Sequence, residues 1–248
     1  VLGTLDAGDE ATENPTVFTY SVEQTAPEGT CTTYPNTASV TTVRNLTADV
    51  ALSPEVVTLD SASASATLCG GLPLGVDATA AGSFDRTYQW LIDKSVDRTL
   101  VTVDNGQTAT FNYTVTVTPN GALDGNYALA GDVTVDNPND WEDITADITV
   151  DTDLGGGALC TVVDGEDAVI AMDDSSTFHY TCTFTGTPAL TGTVTATATW
   201  DATAAATTDA STSTPVSATL EMAQEINRVI TVTDDKTDPA NPVELGTW

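Results

Sequence analysis

Apolar and polar residues alternate with a period of two over much of this chain, the pattern of strands with one face buried. Val17-Phe18-Thr19-Tyr20-Ser21-Val22 places Phe18, Tyr20 and Val22 on one side. Asn36–Val43, with Ala38 and Val40 inward, Val56–Leu59 and Ala62–Leu68 predict further strands. A second series opens at Thr87–Lys94, where Tyr88, Trp90 and Ile92 share a face. Asn105-Gly106 is the strongest hairpin signal, and Phe111, Tyr113, Val115 and Val117 alternate after it. Tyr127–Val135, Ile144–Val150, Leu159–Val163 and Thr177–Phe184 follow, with Phe178, Tyr180, Cys182 and Phe184 inward in the last; Val194, Ala196, Ala198 and Trp200 close the series. Glu221–Arg228 alone has a helical look, and it is set aside.

Many short strands, with turns at intervals of about eight to twelve residues, predict an all-β chain of tandem sandwiches. The 248 residues are enough for two small cores. The first sandwich is placed at residues 1–72 and the second at 82–200, with the Gly70-Gly71-Leu-Pro-Leu-Gly stretch as punctuation between them. The Ala/Thr/Ser/Asp-rich run 201–215 reads as a linker. Cys31 and Cys69 fall in the first unit, Cys160 and Cys182 in the second. One disulfide in each is expected, and with it an oxidising, extracellular or cell-surface location.

The two ends suggest that the unit is completed from outside. Glu244-Leu245-Gly246-Thr247-Trp248 echoes Val1-Leu2-Gly3-Thr4-Leu5, and Leu2 and Leu245 stand 243 residues apart. The first sandwich begins inside a strand, and a sandwich short of its first strands leaves core and backbone unpaired. Residues 216–248 are therefore expected to complete the first domain of the next copy, with Val229, Ile230, Val232, Leu245 and Trp248 filling its groove. Neighbouring copies of the chain, fused or docked head to tail, are the expected partner.

Thr110-Phe-Asn-Tyr-Thr-Val-Thr-Val-Thr118, Val133-Thr-Val-Asp-Asn-Pro138 and Ile148-Thr-Val-Asp-Thr152 resemble the conserved-repeat immunoglobulin-like domains found in tandem in bacterial and archaeal surface and filament proteins. The resemblance covers roughly residues 86–200. Val232-Thr-Asp-Asp235 with Leu2-Gly3-Thr4 looks like a second repeat cut open by the chain ends. The resemblance implies tandem immunoglobulin-like sandwiches and a filament or stalk, and it brings no catalytic residues.

Charge and chemistry narrow the choice. Six Lys and Arg stand against 36 Asp and Glu, a formal charge of −30, which repels phosphate backbones and argues against nucleic acid as a partner. No stretch approaches the length of a membrane span. The only histidine, His179, falls on an outward position without a nucleophile motif, and one His with four paired Cys leaves too few ligands for zinc. The chain is read as not an enzyme and as needing no cofactor. The acidic turns at Asp151, Asp153, Asp173 and Asp174 are weak candidates for Ca²⁺. Lys94 follows Tyr88, Trp90 and Ile92 on the inward face. It is a candidate for an amide crosslink to Asn112 or Asn137, as in pilus domains, or for a surface-reaching ion pair with an Asp. Asn45-Leu-Thr47 and Asn112-Tyr-Thr114 match the glycosylation sequon. The alternative to a filament unit is a surface adhesin module binding carbohydrate or another ligand, for which Trp141 in its turn is the main aromatic platform. An accessory domain of a secreted hydrolase ranks third.

Overall fold

The computed structural model describes residues 1–5, 16–44 and 55–247. These residues contain no helix and fold as β-structure in two compact units, one made of residues 1–72 with 139–141, the other of residues 73–138 with 142–248. No helix among them is long and apolar enough to cross a membrane.

In the first unit, β1 (Thr30–Arg44) and β2 (Glu55–Gly70) form an antiparallel ribbon. Their register runs from Cys31↔Cys69 to Arg44↔Glu55, with a bulge after Val40. Cys31 and Cys69, directly opposite each other, are joined by a disulfide. Small side chains line much of the ladder, and Thr33–Thr67 and Thr37–Ser63 pair through their hydroxyls at 2.9 and 2.8 Å. At the closed end Leu72 donates its N–H to Asn139 Oδ1 and accepts from Asn139 Nδ2, at 2.7 and 2.9 Å. Among the described residues of this unit no hydrophobic side chain is buried. The alternating stretch from Val17 to Val22 forms no strand. Tyr20 accepts a hydrogen bond from Asn36 at 2.7 Å, but side-chain alternation needs a neighbouring ladder to become a strand, and none is supplied here.

The second unit is one large mixed sheet plus a small hairpin. In chain order it contains β3 (Gly75–Ala78), β4 (Ala81–Val96), β5 (Tyr113–Asn137) and β6 (Ile144–Thr152). Then come β7 (Ala158–Val162), β8 (Ala168–Ile170), β9 (Asp174–Phe184) and β10 (Thr191–Trp200). Last are β11 (Ser211–Ile226), β12 (Thr231–Asp234) and β13 (Val243–Thr247). The sheet order is β7-β9-β5-β4-β11-β10-β6-β8, with β3 added on β5, while β12 and β13 pair only with each other. A second disulfide joins Cys160 of β7 to Cys182 of β9, again directly opposite.

Alternation fixes the core. Ile144, Ala146, Ile148 and Val150 of β6 are buried and the residues between them exposed. Val133 and Val135 of β5, Phe178, Tyr180 and Cys182 of β9, and Val194, Ala196, Ala198 and Trp200 of β10 complete the same cluster. Tyr180 is fully buried, and its hydroxyl donates to the Thr79 carbonyl at 2.7 Å, the partner a buried phenol requires. Gly131 sits where any Cβ would run into the Thr79 carbonyl oxygen.

Two expectations change here. Residues 201–215 are not a free linker: Ala205 is buried, the Trp200 indole donates to Thr207 at 2.9 Å, and β11 begins at Ser211. The next stretch, through Ile226, is used within the chain. Ser211–Thr219 pairs antiparallel with β10, and Leu220–Ile226 then pairs parallel with β4. Pro215 marks no boundary because along this half β11 has β10 as its ladder neighbour and leaves its other edge open, where a residue without an N–H is tolerated.

The coreless ribbon gives a direct test. The Cys31–Cys69 bridge spans 38 residues, for which loop-closure entropy is worth about 4 kcal/mol. In a Cys31→Ser/Cys69→Ser chain, amide exchange should lose its protection across β1 and β2 while the amides of β5, β6 and β9 stay protected. Unchanged protection in β1–β2 would show that the ribbon is held by something other than its crosslink.

Candidate functional site

β4 and β5 extend beyond the core as a two-stranded arm. Ala81–Ser83 of β4 lies where β5 is flanked on its other side by β9, but from Trp90↔Pro119 outward to Val96↔Tyr113 the two strands have, among the described residues, only each other as ladder partners. Asp97 closes the arm: its carboxylate accepts from the Asn112 backbone N–H at 3.1 Å and from Asn112 Nδ2 at 2.8 Å. Those bonds, the backbone one foremost, hold Asp97 below its ordinary pKa.

Four residues of β4 carry a polar tip with a defined partner. Arg86 forms a two-pronged ion pair with Asp124, 2.7 and 2.8 Å. Tyr88 donates its hydroxyl to Glu225 at 2.6 Å, and Glu225 also accepts from Arg228 at 2.6 Å. Trp90 Nε1 donates to the Asn227 carbonyl at 2.8 Å. Lys94 Nζ lies 2.7 Å from Asp234 and over the Tyr113 ring, 5.1 Å from its centroid. These contacts clasp the segment 225–234 along the arm, and Val232 of β12 is buried.

The sequence candidates distribute as follows. Of the donor residues, Val232 is buried and Ile230 half-buried, while Val229 and Leu245 are exposed; Trp248 and the Asn45 sequon lie outside the described residues. The crosslink candidates are not brought together by shared partners. Lys94 is held by Asp234, and Asn112 by Asp97. Asn137 is wholly buried, its amide donating to the carbonyls of Glu142 and Ile170. Of the two uses proposed for Lys94, an aspartate is the group it reaches. Among the described residues no group of three or more His, Cys, Asp or Glu is placed to hold a metal ion. Asp153 instead accepts the Thr193 backbone N–H at 2.6 Å, and Asp174 that of Ser175 at 2.7 Å. His179 lies across the ladder from Asp132, 3.1 Å between Nδ1 and Oδ1, with both side chains more than half exposed. Trp141 is half-buried with its Nε1 enclosed, which is not the presentation of a sugar platform.

What single-residue reading missed was the clasp as a set. The available signal was the placement of positive charge: Arg86, Lys94, Arg98, Arg228 and Lys236 are five of the six basic residues in the chain, and four of them make ion pairs on this arm and its clasped segment.

The clasp is pH-limited on both sides. Tyr88, through its hydrogen bond, holds Glu225 below its ordinary 4.5, and Lys94 holds Asp234 below 3.8. Their stabilisation is therefore present above those values and lost as pH falls through the depressed ones. Asp234 raises Lys94 above 10.5, so that contribution is present below 10.5 and lost as pH rises through the raised value. The methyl resonances of Val232 should keep their buried shifts between about pH 4.5 and 10.5 and move toward random-coil values outside that window. Asp234→Asn should displace them at neutral pH as well. Shifts constant down to pH about 2 would mean that the ion pair does not hold the segment.

Comparisons with protein-family models, with curated proteins and with solved structures find no match for this chain.

Proposed function

We propose that the chain is a structural unit of an extracellular filament or surface stalk, assembled head to tail from copies of itself by β-strand complementation. The observation that supports this reading is the ribbon β1–β2, which among the described residues carries exposed apolar side chains and buries none. Val40, Val56 and Leu59 are each exposed by 60% or more of their surface. Among the described residues both strands have only each other as ladder partners. Two-stranded ribbons are marginal in water, and unpaired strand edges accept further strands. An incoming β-segment would satisfy the edge hydrogen bonds and cover the exposed apolar side chains in one event.

In this reading the second unit is a closed immunoglobulin-like sandwich. β8-β6-β10 and the first half of β11 form one layer, and β7-β9-β5-β4 and the second half of β11 the other, with the buried cluster between them. Two disulfides suit an oxidising compartment outside the cell. Contacts between non-identical surfaces generate open chains rather than closed rings, which is the geometry a fibre needs.

Sedimentation velocity over a hundredfold concentration range, at about 0.15 M and about 1 M salt, where charges are screened over about 8 and 3 Å, tests the assembly. A ladder of species growing with concentration, without a limiting oligomer, is expected in at least one condition. A single monomeric species throughout, or a closed dimer, would overturn the reading.

A further inference from the structure

Asn112 and Thr114, the two defining residues of the sequon Asn112-Tyr-Thr114, belong to neither the clasp nor the buried core. The backbone around them is held extended. Asp97 donates its N–H to the Asn112 carbonyl at 3.0 Å, the Asn112 N–H returns to Asp97 Oδ1, and Thr114 pairs with Ser95. In an extended chain, residues two apart point to the same side. Asn112, Thr114, Thr116 and Thr118 are all exposed, whereas Val115 and Val117 are half-buried. The amide and the hydroxyl of the sequon therefore face solvent together. Asn112 Nδ2 gives one hydrogen to Asp97 Oδ2 at 2.8 Å; a side-chain amide has two, and a glycosidic link replaces only the other.

We propose that Asn112 is the attachment site of an N-linked glycan. The sugar comes from a lipid-linked donor in which its C1 is bound to phosphate or pyrophosphate. The Nδ2–C1 bond forms, the C1–O bond breaks, the phosphate leaves with the electron pair, and one amide proton passes to the transferase's base. Such donors serve exported chains, so the site rests on the extracellular part of the reading above and not on head-to-tail assembly. Among the described residues Asn112 is the only Asn with Ser or Thr two positions on and a residue other than Pro between. Asn126-Tyr127-Ala128 on the same strand is a built-in control. Asn126 is exposed and donates Nδ2 to Asp85 at 2.9 Å, but Ala128 has no hydroxyl. Phe111 and Tyr113 are exposed beside the site, on an arm with open outer edges. A bulky, hydrated glycan there opposes edge-to-edge addition.

The full chain, secreted from a eukaryotic host that attaches N-glycans and cleaved before Asp, yields peptides Asp104–Leu123 and Asp124–Gly131, which carry Asn112 and Asn126 respectively. Reading by peptide also keeps Asn112 apart from the Asn45 sequon. Mass spectrometry should find a glycan on the first peptide and none on the second, and enzymatic release in heavy-oxygen water should leave a labelled aspartate in place of Asn112. Thr114→Ala should lower occupancy at least tenfold, Thr114→Ser should keep part of it, and circular dichroism should show both folded. An unmodified Asp104–Leu123 peptide from the native chain, or occupancy unchanged in Thr114→Ala, would overturn the site and leave the filament reading standing. A chain that is glycosylated at Asn112 but monomeric at every concentration would keep the site and overturn the filament.

Discussion

Backbone pairing along β5 is the interaction on which the second unit depends. Its 25 residues, at about 3.4 Å each, run roughly 80 Å through two environments. Along Ala128–Asn137 it has β9 on one side and β4 or β3 on the other, and it buries Leu129, Val133 and Val135. Along Tyr113–Pro119 it has β4 alone. The core anchors one end of a continuous strand, so ladder hydrogen bonds carry order into an arm that has little apolar burial of its own. The register is irregular near Tyr88/Trp90, opposite Asn120-Gly121, where Gly121 adopts φ +83°. A bulge of this kind locally strengthens twist and redirects the strand. The clasp of Tyr88, Trp90 and Lys94 then fixes what the arm carries.

β11 imposes the second constraint. A strand that leaves one neighbour for another partway along its length ties both groups of strands to one backbone. Ala218 and Leu220 are buried where the change occurs. The left-handed residue Asn227 (φ 58°) follows the end of its pairing with β4 and turns the chain to bring Asn227 O within reach of Trp90.

Much of this was legible in side-chain alternation. The buried positions of β6, β9 and β10 are the ones that Ile144–Val150, Phe178–Phe184 and Val194–Trp200 single out, and the cysteines pair within their units as their positions suggest. Alternation reports that a segment has two faces; it does not report which strand lies beside it. That is why Val17–Val22 reads as a strand although none of the described strands pairs with it, and why Ser211–Pro215 reads as a linker although β10 pairs with it. Thr, Ser and Ala carry little hydrophobic contrast, so β11 gave almost no periodic signal over its first half. The clasp was hidden for a related reason. Glu225, Asn227 and Asp234 come from a different part of the chain, and their relation to Arg86–Lys94 exists only once the parallel pairing of β11 with β4 is made.

The acidic surface and the open edges belong to one argument. A chain with free strand edges on two ribbons is exposed to indiscriminate edge-to-edge addition, the route to aggregation. Scattered carboxylates oppose that: any two copies that meet at random bring like charges together, and the repulsion acts over about 8 Å at physiological salt. It cannot act equally everywhere if assembly is to occur at all. Five of the six bases lie on the arm and its clasp, where four of them are held in ion pairs and lower the local repulsion. Two kinds of residue then divide the work in the proposed assembly. Exposed valines and leucines supply the free energy of covering a ribbon, and the acidic surface opposes contacts that do not cover one. Hydrophobic burial is non-directional, so without the second device the first would favour many wrong contacts as strongly as the right one.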